Sequence, residues 1–196
     1  MIAHIYGLPV DMSPVLSLAS KYNLLVIEDA AEAHGLTYNG RQCGSFGDVS
    51  TFSFFPNKHI TTGEGGMVLT NNDSYANRGK MIRNLFFDNE RRYIHEEIGS
   101  NFRMTNMQAA LGLAQLEQIE NTVRRKREIG KIYQEELSSL TSVDLPVDKC
   151  EYAANGHING NSIFEGIQRH NVARQNVFLQ QTHNSHACVL CKLDSL

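Results

Sequence analysis

Leu24, Leu25, Val26 and Ile27 form an unbroken apolar run that stops at Glu28-Asp29, which predicts a strand covered on both faces with carboxylates at its carboxyl end. A second run, Val49 to Phe55, is rich in β-branched and aromatic residues. It predicts another strand, delivering Ser53 and then Lys58 to a turn built from Thr61, Thr62, Gly63, Gly65 and Gly66. Upstream, Ala3-His4-Ile5-Tyr6 reads as a short strand and Asp11 to Asn23 as a helix with Pro14 in its first turn, which with Val26 makes a β-α-β unit. Gly66 to Thr70 predicts a further strand, and Asp73 to Asn84 a helix with Arg78, Lys80 and Arg83 toward its C-terminal half. Phe86 to Glu97 is charged and aromatic without a clear period, so a mobile loop is expected. Thr105 and Gln108 have the spacing of a capping box. Met107, Leu111, Ala114, Gln115 and Gln118 to Ile119 then continue at helical intervals toward Leu140, predicting one long helix.

The chemistry-bearing residues each allow two readings. Asp29 is either a ligand-facing carboxylate or the N-cap of a helix continued by Ala30, Ala31 and Ala33; Lys58 is either functional or a solvated charge before a glycine turn. Together they point to one chemistry. A lysine amine, a carboxylate at the end of a buried strand and phosphate-binding hydroxyls suit pyridoxal phosphate. A lysine binds that cofactor as a Schiff base while an acid holds its pyridine nitrogen protonated.

From His4 to about Leu145 the chain resembles the sugar aminotransferases of the DegT/DnrJ/EryC1/StrS family, which are fold-type-I pyridoxal-phosphate enzymes. The strings AHIYGLPVDM, VIEDAAEAHG, FGDVSTFSFFPNKHITTGEGGMV and NFRMTNMQAALGLAQLE carry the resemblance, in the family's order and spacing. It implies an α/β fold: part of the large domain of an aspartate-aminotransferase-like transferase, a mainly parallel sheet flanked by helices. It implies Lys58 as the Schiff-base lysine and proton carrier, Asp29 as the partner of the pyridine nitrogen, and Ser53 as a phosphate ligand. Glu32 falls where many relatives carry a Gln facing the cofactor's phenolic oxygen, and the DAAEA string looks like the perosamine-synthase branch. Asn101 looks like the residue that reaches the phosphate of the neighbouring subunit's cofactor, which implies a homodimer. The implied reaction carries an amino group from a donor such as glutamate to a keto-sugar nucleotide, in amino-sugar and O-antigen polysaccharide synthesis.

Length changes this picture. At 196 residues, 41% hydrophobic and 20% charged, the chain can bury one core. Family members are roughly twice as long. MIAHIYG reads as an interior strand entered partway, so the upstream strands, a Gly-Thr phosphate loop and a ring stacked on the pyridine are expected to be absent. Residues 1–150 are expected to form the partial cofactor-binding domain plus the long helix leading toward a small domain, and 151–196 an atypical, poorly ordered tail. The tail is rich in Asn, lacks proline, and balances Glu151, Glu165 and Asp194 against Arg169, Arg174 and Lys192, unlike the family's C-terminal domain. A reading-frame disruption near Glu151 would produce it. An inactive remnant, or an interaction module pairing with a full-length relative, is the alternative to catalysis.

Charge and cysteines exclude other classes. With a net charge of -3, nothing favours nucleic acid, and Arg124-Arg125-Lys126-Arg127 sits beside Glu117, Glu120, Glu128 and Glu135 as a solvated helix face. No apolar run suits a bilayer, and four cysteines without a signal sequence fit a reducing cytoplasm. His183, His186, Cys188 and Cys191 are zinc-ligand types, but they crowd together without a loop between ligand pairs. They read as a chance cluster, and no metal is expected.

Overall fold

The computed structural model describes residues 1–87, 90–91, 93–140 and 145, together with the backbone of 188–192. Helix α1 (Met12–Tyr22) starts where Asp11 accepts the Ser13 N–H at 3.3 Å and ends at Asn23, whose left-handed backbone (φ 49°) suits an Asn. Its start is tied to the hairpin β3 (Thr37–Tyr38) and β4 (Arg41–Gln42), because the Tyr38 hydroxyl donates to Asp11 Oδ1 at 2.6 Å. Asn39 and Gly40 turn that hairpin with φ of 48° and 80°, the left-handed pair that a tight two-residue turn requires.

The main sheet runs β1 (Ile2–Ala3), β2 (Ile27–Asp29), β5 (Val49–Ser53), β6 (Gly66–Thr70) and β7 (Cys188–Lys192) in spatial order. All neighbours are parallel except β5 and β6, which are antiparallel. Helix α2 (Asp73–Arg83) follows β6, with Asn72 accepting from Ser74 and Tyr75 N–H at 2.9 and 3.1 Å. Met12, Ala30, Ala33, Leu36, Tyr38 and Cys43 form the core, with Val15 and Leu16 of α1 and Phe52 of β5 packed against it.

The structure corrects three expectations. The apolar run from Leu24 is not a strand covered on both faces. The strand begins at Ile27, because the Val26 N–H goes to Asp48 Oδ2 (2.7 Å) and its carbonyl accepts the Asp48 N–H (2.9 Å), leaving Leu24 57% and Leu25 67% exposed. Strand alternation then puts Glu28 inside at 0% exposed and Ile27 outside. The single long helix is two, α3 (Asn106–Leu116) and α4 (Ile119–Leu137), broken where the Gln118 N–H turns back to the Gln115 carbonyl at 3.1 Å. The first short strand covers Ile2–Ala3, after which Ile5 and Leu8 bridge a turn at Tyr6-Gly7.

Thr105 and Gln108 make the capping box of α3. Phe86 to Glu97 has no regular element among its described residues, although Phe86 is 2% exposed and Arg78 pairs with Glu97. Arg124 and Arg125 make solvent-side contacts to Asn121 and Glu128, whereas Arg127 turns inward toward the Gly35 carbonyl at 3.5 Å. Burial lowers the affinity of that guanidinium for its proton. No helix among the described residues is long and apolar enough to cross a membrane. The expected boundary at 150, along with His183 and His186, lies outside the described residues.

Candidate active site

Parallel pairing of β2 and β5 sets the site's floor. Asp29 stands opposite Thr51, so Asp29, Thr51 and Ser53 share one face of the sheet at the carboxyl ends of the two strands. Asp29 does not cap a helix. Its Oδ1 accepts the Ala31 N–H at 3.1 Å, while Ala33 N–H and Leu36 N–H bond back to the carbonyls of Ala30 and Ala33 (2.9 and 3.0 Å) in successive turns.

Those turns bring Glu32 to the lysine. Lys58 Nζ lies 3.0 Å from Glu32 Oε1, and the two side chains are 13% and 26% exposed. The other carboxylate oxygen accepts the Tyr6 N–H at 3.0 Å. That N–H comes from a turn in which Tyr6 and Gly7 both have left-handed backbones. The Tyr6 N–H and the Lys58 amine therefore each hold one oxygen of Glu32, and the amine has an anionic partner in a half-buried setting where the pairing outlasts solvent screening.

The loop that carries Lys58 closes on itself. Phe54 C=O accepts both the Thr61 hydroxyl (2.9 Å) and the Thr62 N–H (3.0 Å), and the Lys58 N–H bonds the Phe55 carbonyl at 3.0 Å. Ser53 Oγ accepts the Phe55 N–H at 3.2 Å, which orients this hydroxyl at the strand's end. Gly65, at φ 150°, allows the return: a Cβ there would lie 2.6 Å from Thr62 Oγ1.

Behind this surface lies a buried polar layer that the sequence reading did not single out. Burial alone would raise the Glu28 carboxyl, but hydrogen bonds from His4, Gly47, Gly44 and Phe46 outweigh it and hold the group below its ordinary range. Val10 N–H donates to His4 Nδ1 at 3.1 Å, so the ring is the neutral tautomer whose Nε2–H donates to Glu28 at 3.0 Å. His34 packs 5.4 Å from the Phe52 ring and 6.1 Å from His59, and among the described residues neither of its ring nitrogens has a hydrogen-bond partner. Burial, then His59 and Lys58, pushes His34 down to about 4; burial, then Lys126, Lys58 and Arg127, pushes His59 down to about 4. Both are neutral at physiological pH. Their positions, beside Ala33 and beside Lys58, were the available signal.

Of the five residues expected at the site, Lys58 and Glu32 are in contact, and Asp29 and Ser53 share the adjoining sheet face. Asn101 stands apart and exposed, bridged to Asn84, with its side-chain oxygen accepting Arg103 Nε–H at 2.7 Å. An amine, two carboxylates and a hydroxyl around the ends of parallel strands can bind a carbonyl compound covalently, hold a protonated ring nitrogen and meet a phosphate.

Comparison with known proteins gives consistent findings. The model of the DegT/DnrJ/EryC1/StrS aminotransferase family matches residues 1–182, past the compositional change at about 150. GDP-perosamine synthase of Escherichia coli O157:H7 is 52% identical over 143 residues, covering 73% of this chain and 39% of that protein. The putative pyridoxal phosphate-dependent aminotransferase EpsN of Bacillus subtilis (strain 168) is 34% identical over 180 residues, 89% of this chain and 46% of its own length. Among solved structures, DesI in the presence of its TDP-sugar product superposes with a TM-score of 0.67 at 28% identity, over 82% of this chain and 39% of that one. The chain thus spans about two fifths of the length of the first curated relatives it matches.

Proposed function

Because this chain belongs to the DegT/DnrJ/EryC1/StrS aminotransferase family, we propose that it carries the lysine side of a pyridoxal-phosphate site that aminates a keto-sugar nucleotide, as in GDP-perosamine synthesis. The Lys58–Glu32 pair, set at 3.0 Å beside the strand ends that bear Asp29 and Ser53, carries this reading. The residues fit the cofactor by the chemistry of the donor set: an amine for its aldehyde, a carboxylate for its ring nitrogen, a hydroxyl for its phosphate.

When bound, pyridoxal phosphate supplies an electron-accepting ring that stabilises negative charge developing on the carbon that gains or loses nitrogen. The chain's own groups do the rest. Lys58 Nζ would hold the cofactor and would take and return the proton at that carbon. Glu32 Oε1 orients the amine. Asp29 keeps the ring nitrogen protonated, and Ser53 Oγ donates to phosphate. Asn101, exposed and bonded to Arg103 rather than to any of these four, would serve the partner subunit's cofactor in a homodimer, with an amino acid such as glutamate as nitrogen donor.

A second reading has its own support. Met107 (85% exposed), Leu111, Leu113 and Leu116 leave an apolar surface on α3 that suits a chain acting by pairing with a longer relative. One experiment separates the two. The chain is mixed with pyridoxal phosphate, reduced with borohydride and digested for mass spectrometry. A phosphopyridoxyl group confined to Lys58 supports the catalytic reading; absent or scattered labelling overturns it.

A further inference from the structure

Helix α3 touches the lysine loop along one stripe of three residues. Gln115 Oε1 accepts the Thr61 N–H at 3.1 Å, and Gln115 Nε2–H donates to the Thr61 carbonyl at 2.7 Å. The second Nε2 hydrogen goes to the Leu111 carbonyl at 2.9 Å, so every polar atom of this amide is used. One turn earlier, a Cβ on Gly112 would meet Thr62 Cγ2 at 3.0 Å. At the helix start, Gln108 Nε2–H donates to the Glu64 carbonyl at 3.2 Å. Positions 108, 112 and 115 fall on one helix face. They meet Glu64, Thr62 and Thr61 in turn, so helix and loop run antiparallel in matched register.

This contact is unusual in what holds it. None of the α3 side chains is fully buried, and the helix meets the loop through these amide hydrogen bonds and the close approach of Gly112 to the Thr62 methyl. A helix backbone has no free donor and acceptor to offer a neighbouring strand. The Gln115 amide supplies both from one plane and pairs with Thr61 as another peptide unit would. Thr61 is three residues from Lys58, and its own hydroxyl closes the loop onto Phe54 C=O at 2.9 Å.

We propose that Gln115 is a positioning residue for Lys58: by pairing with both backbone groups of Thr61, its amide sets where the lysine's loop stands. The proposal rests on the reading of Lys58 as the cofactor lysine, but its test does not need the cofactor. Gln115→Met keeps the length and helix propensity of the side chain and removes both bonds. Gln118→Met removes an exposed amide at the next helix start and serves as control; its partner is Asn121 at 3.1 Å. In each full-length protein, amide hydrogen exchange of the 58–63 segment is measured, together with labelling of Lys58 by an amine reagent relative to Lys21 and Lys80.

For Gln115→Met, exchange in the segment rises at least about tenfold and the Lys58-to-Lys21 labelling ratio changes by a factor of about three or more, while the control matches the wild type. Gln115→Glu, which retains an acceptor for Thr61 N–H but faces the Thr61 carbonyl with a second oxygen, moves both readouts in the same direction. Unchanged exchange and labelling in a folded Gln115→Met protein overturn the proposal. So does global unfolding of both variants, seen as all lysines gaining reactivity together. If wild-type Lys58 fails to take up pyridoxal phosphate while Gln115→Met still alters its labelling, the functional reading falls and the positioning role stands.

Discussion

Replacing Glu28 by Gln tests the buried layer that supports the site. The carboxylate receives two N–H groups on each oxygen: His4 Nε2 and Gly44 on Oε2, at 3.0 and 2.7 Å, and Phe46 and Gly47 on Oε1, at 2.6 and 2.5 Å. A glutamine keeps one oxygen for two of these donors and turns an NH2 toward the other two. Two charge-assisted bonds are lost, about 1.5–3 kcal/mol each, and donor faces donor. Burying a neutral amide in place of an ion returns part of that, leaving a net destabilisation of about 2–4 kcal/mol. The assay is urea unfolding of the full chain followed by circular dichroism, repeated from pH 7 to pH 3. Because the folded carboxyl sits below its ordinary 4.5, its stabilisation is complete above that pH and is lost as the pH falls through the folded value. Glu28→Gln should therefore lower stability at neutral pH and flatten the acid limb of the profile. A change within about 0.5 kcal/mol, with an unaltered acid limb, would show that the four bonds do not hold this carboxylate as described.

Lys58→Ala is expected to abolish amino transfer in any competent assembly containing this chain, measured by release of the keto acid from the donor; measurable turnover removes the mechanism. His34 and His59 titrate near 4 when folded against an ordinary 6.5, so stability they favour is present above 6.5 and drains as the pH falls toward 4. The loss is up to about 3 kcal/mol each, and His34→Phe should reduce the difference in unfolding free energy between pH 7 and pH 5. Gly40→Ala meets nothing within 4 Å among the described residues and should cost about 1 kcal/mol from its φ of 80° alone. Gly44→Ala adds a collision with the Phe52 ring, 2.7 Å from Cε2, and should cost at least about 2 kcal/mol more. Equal thermal midpoints for these two glycine variants would contradict the packing.

Much of the scaffold was legible because its signals are local. Asp11, Pro14 and the Thr105–Gln108 box fix helix starts within one turn, and β6 needed only its own five residues. What failed depended on distant partners. The run from Leu24 looked buried on composition, but Asp48 captures Val26 and starts the strand later, so alternation sends Glu28 inward and leaves Asp29 on the site face. The α3–α4 break falls two residues after Gln115, whose amide is committed to a loop more than fifty residues earlier. The Asn39-Gly40 turn was readable and went unread. At the candidate site, Lys58 and Asp29 were singled out from strand ends and motif strings, whereas the Glu32 contact needed the turns after Asp29 and the Tyr6 N–H.

Gly35 packs the turns that follow β2 against α4 without slack. A Cβ at this position would stand 2.7 Å from Val123 Cγ2, and Val123 is itself 8% exposed. Gly35 lies three residues beyond Glu32 in the successive turns closed by the Ala33 and Leu36 N–H groups, so the run that carries the carboxylate facing Lys58 is the same run that rests on α4. A distance of 3.0 Å to an amine is sensitive to shifts of a few tenths of an ångström, so a side chain at position 35 that pushed this run off Val123 would register at the Glu32 oxygens.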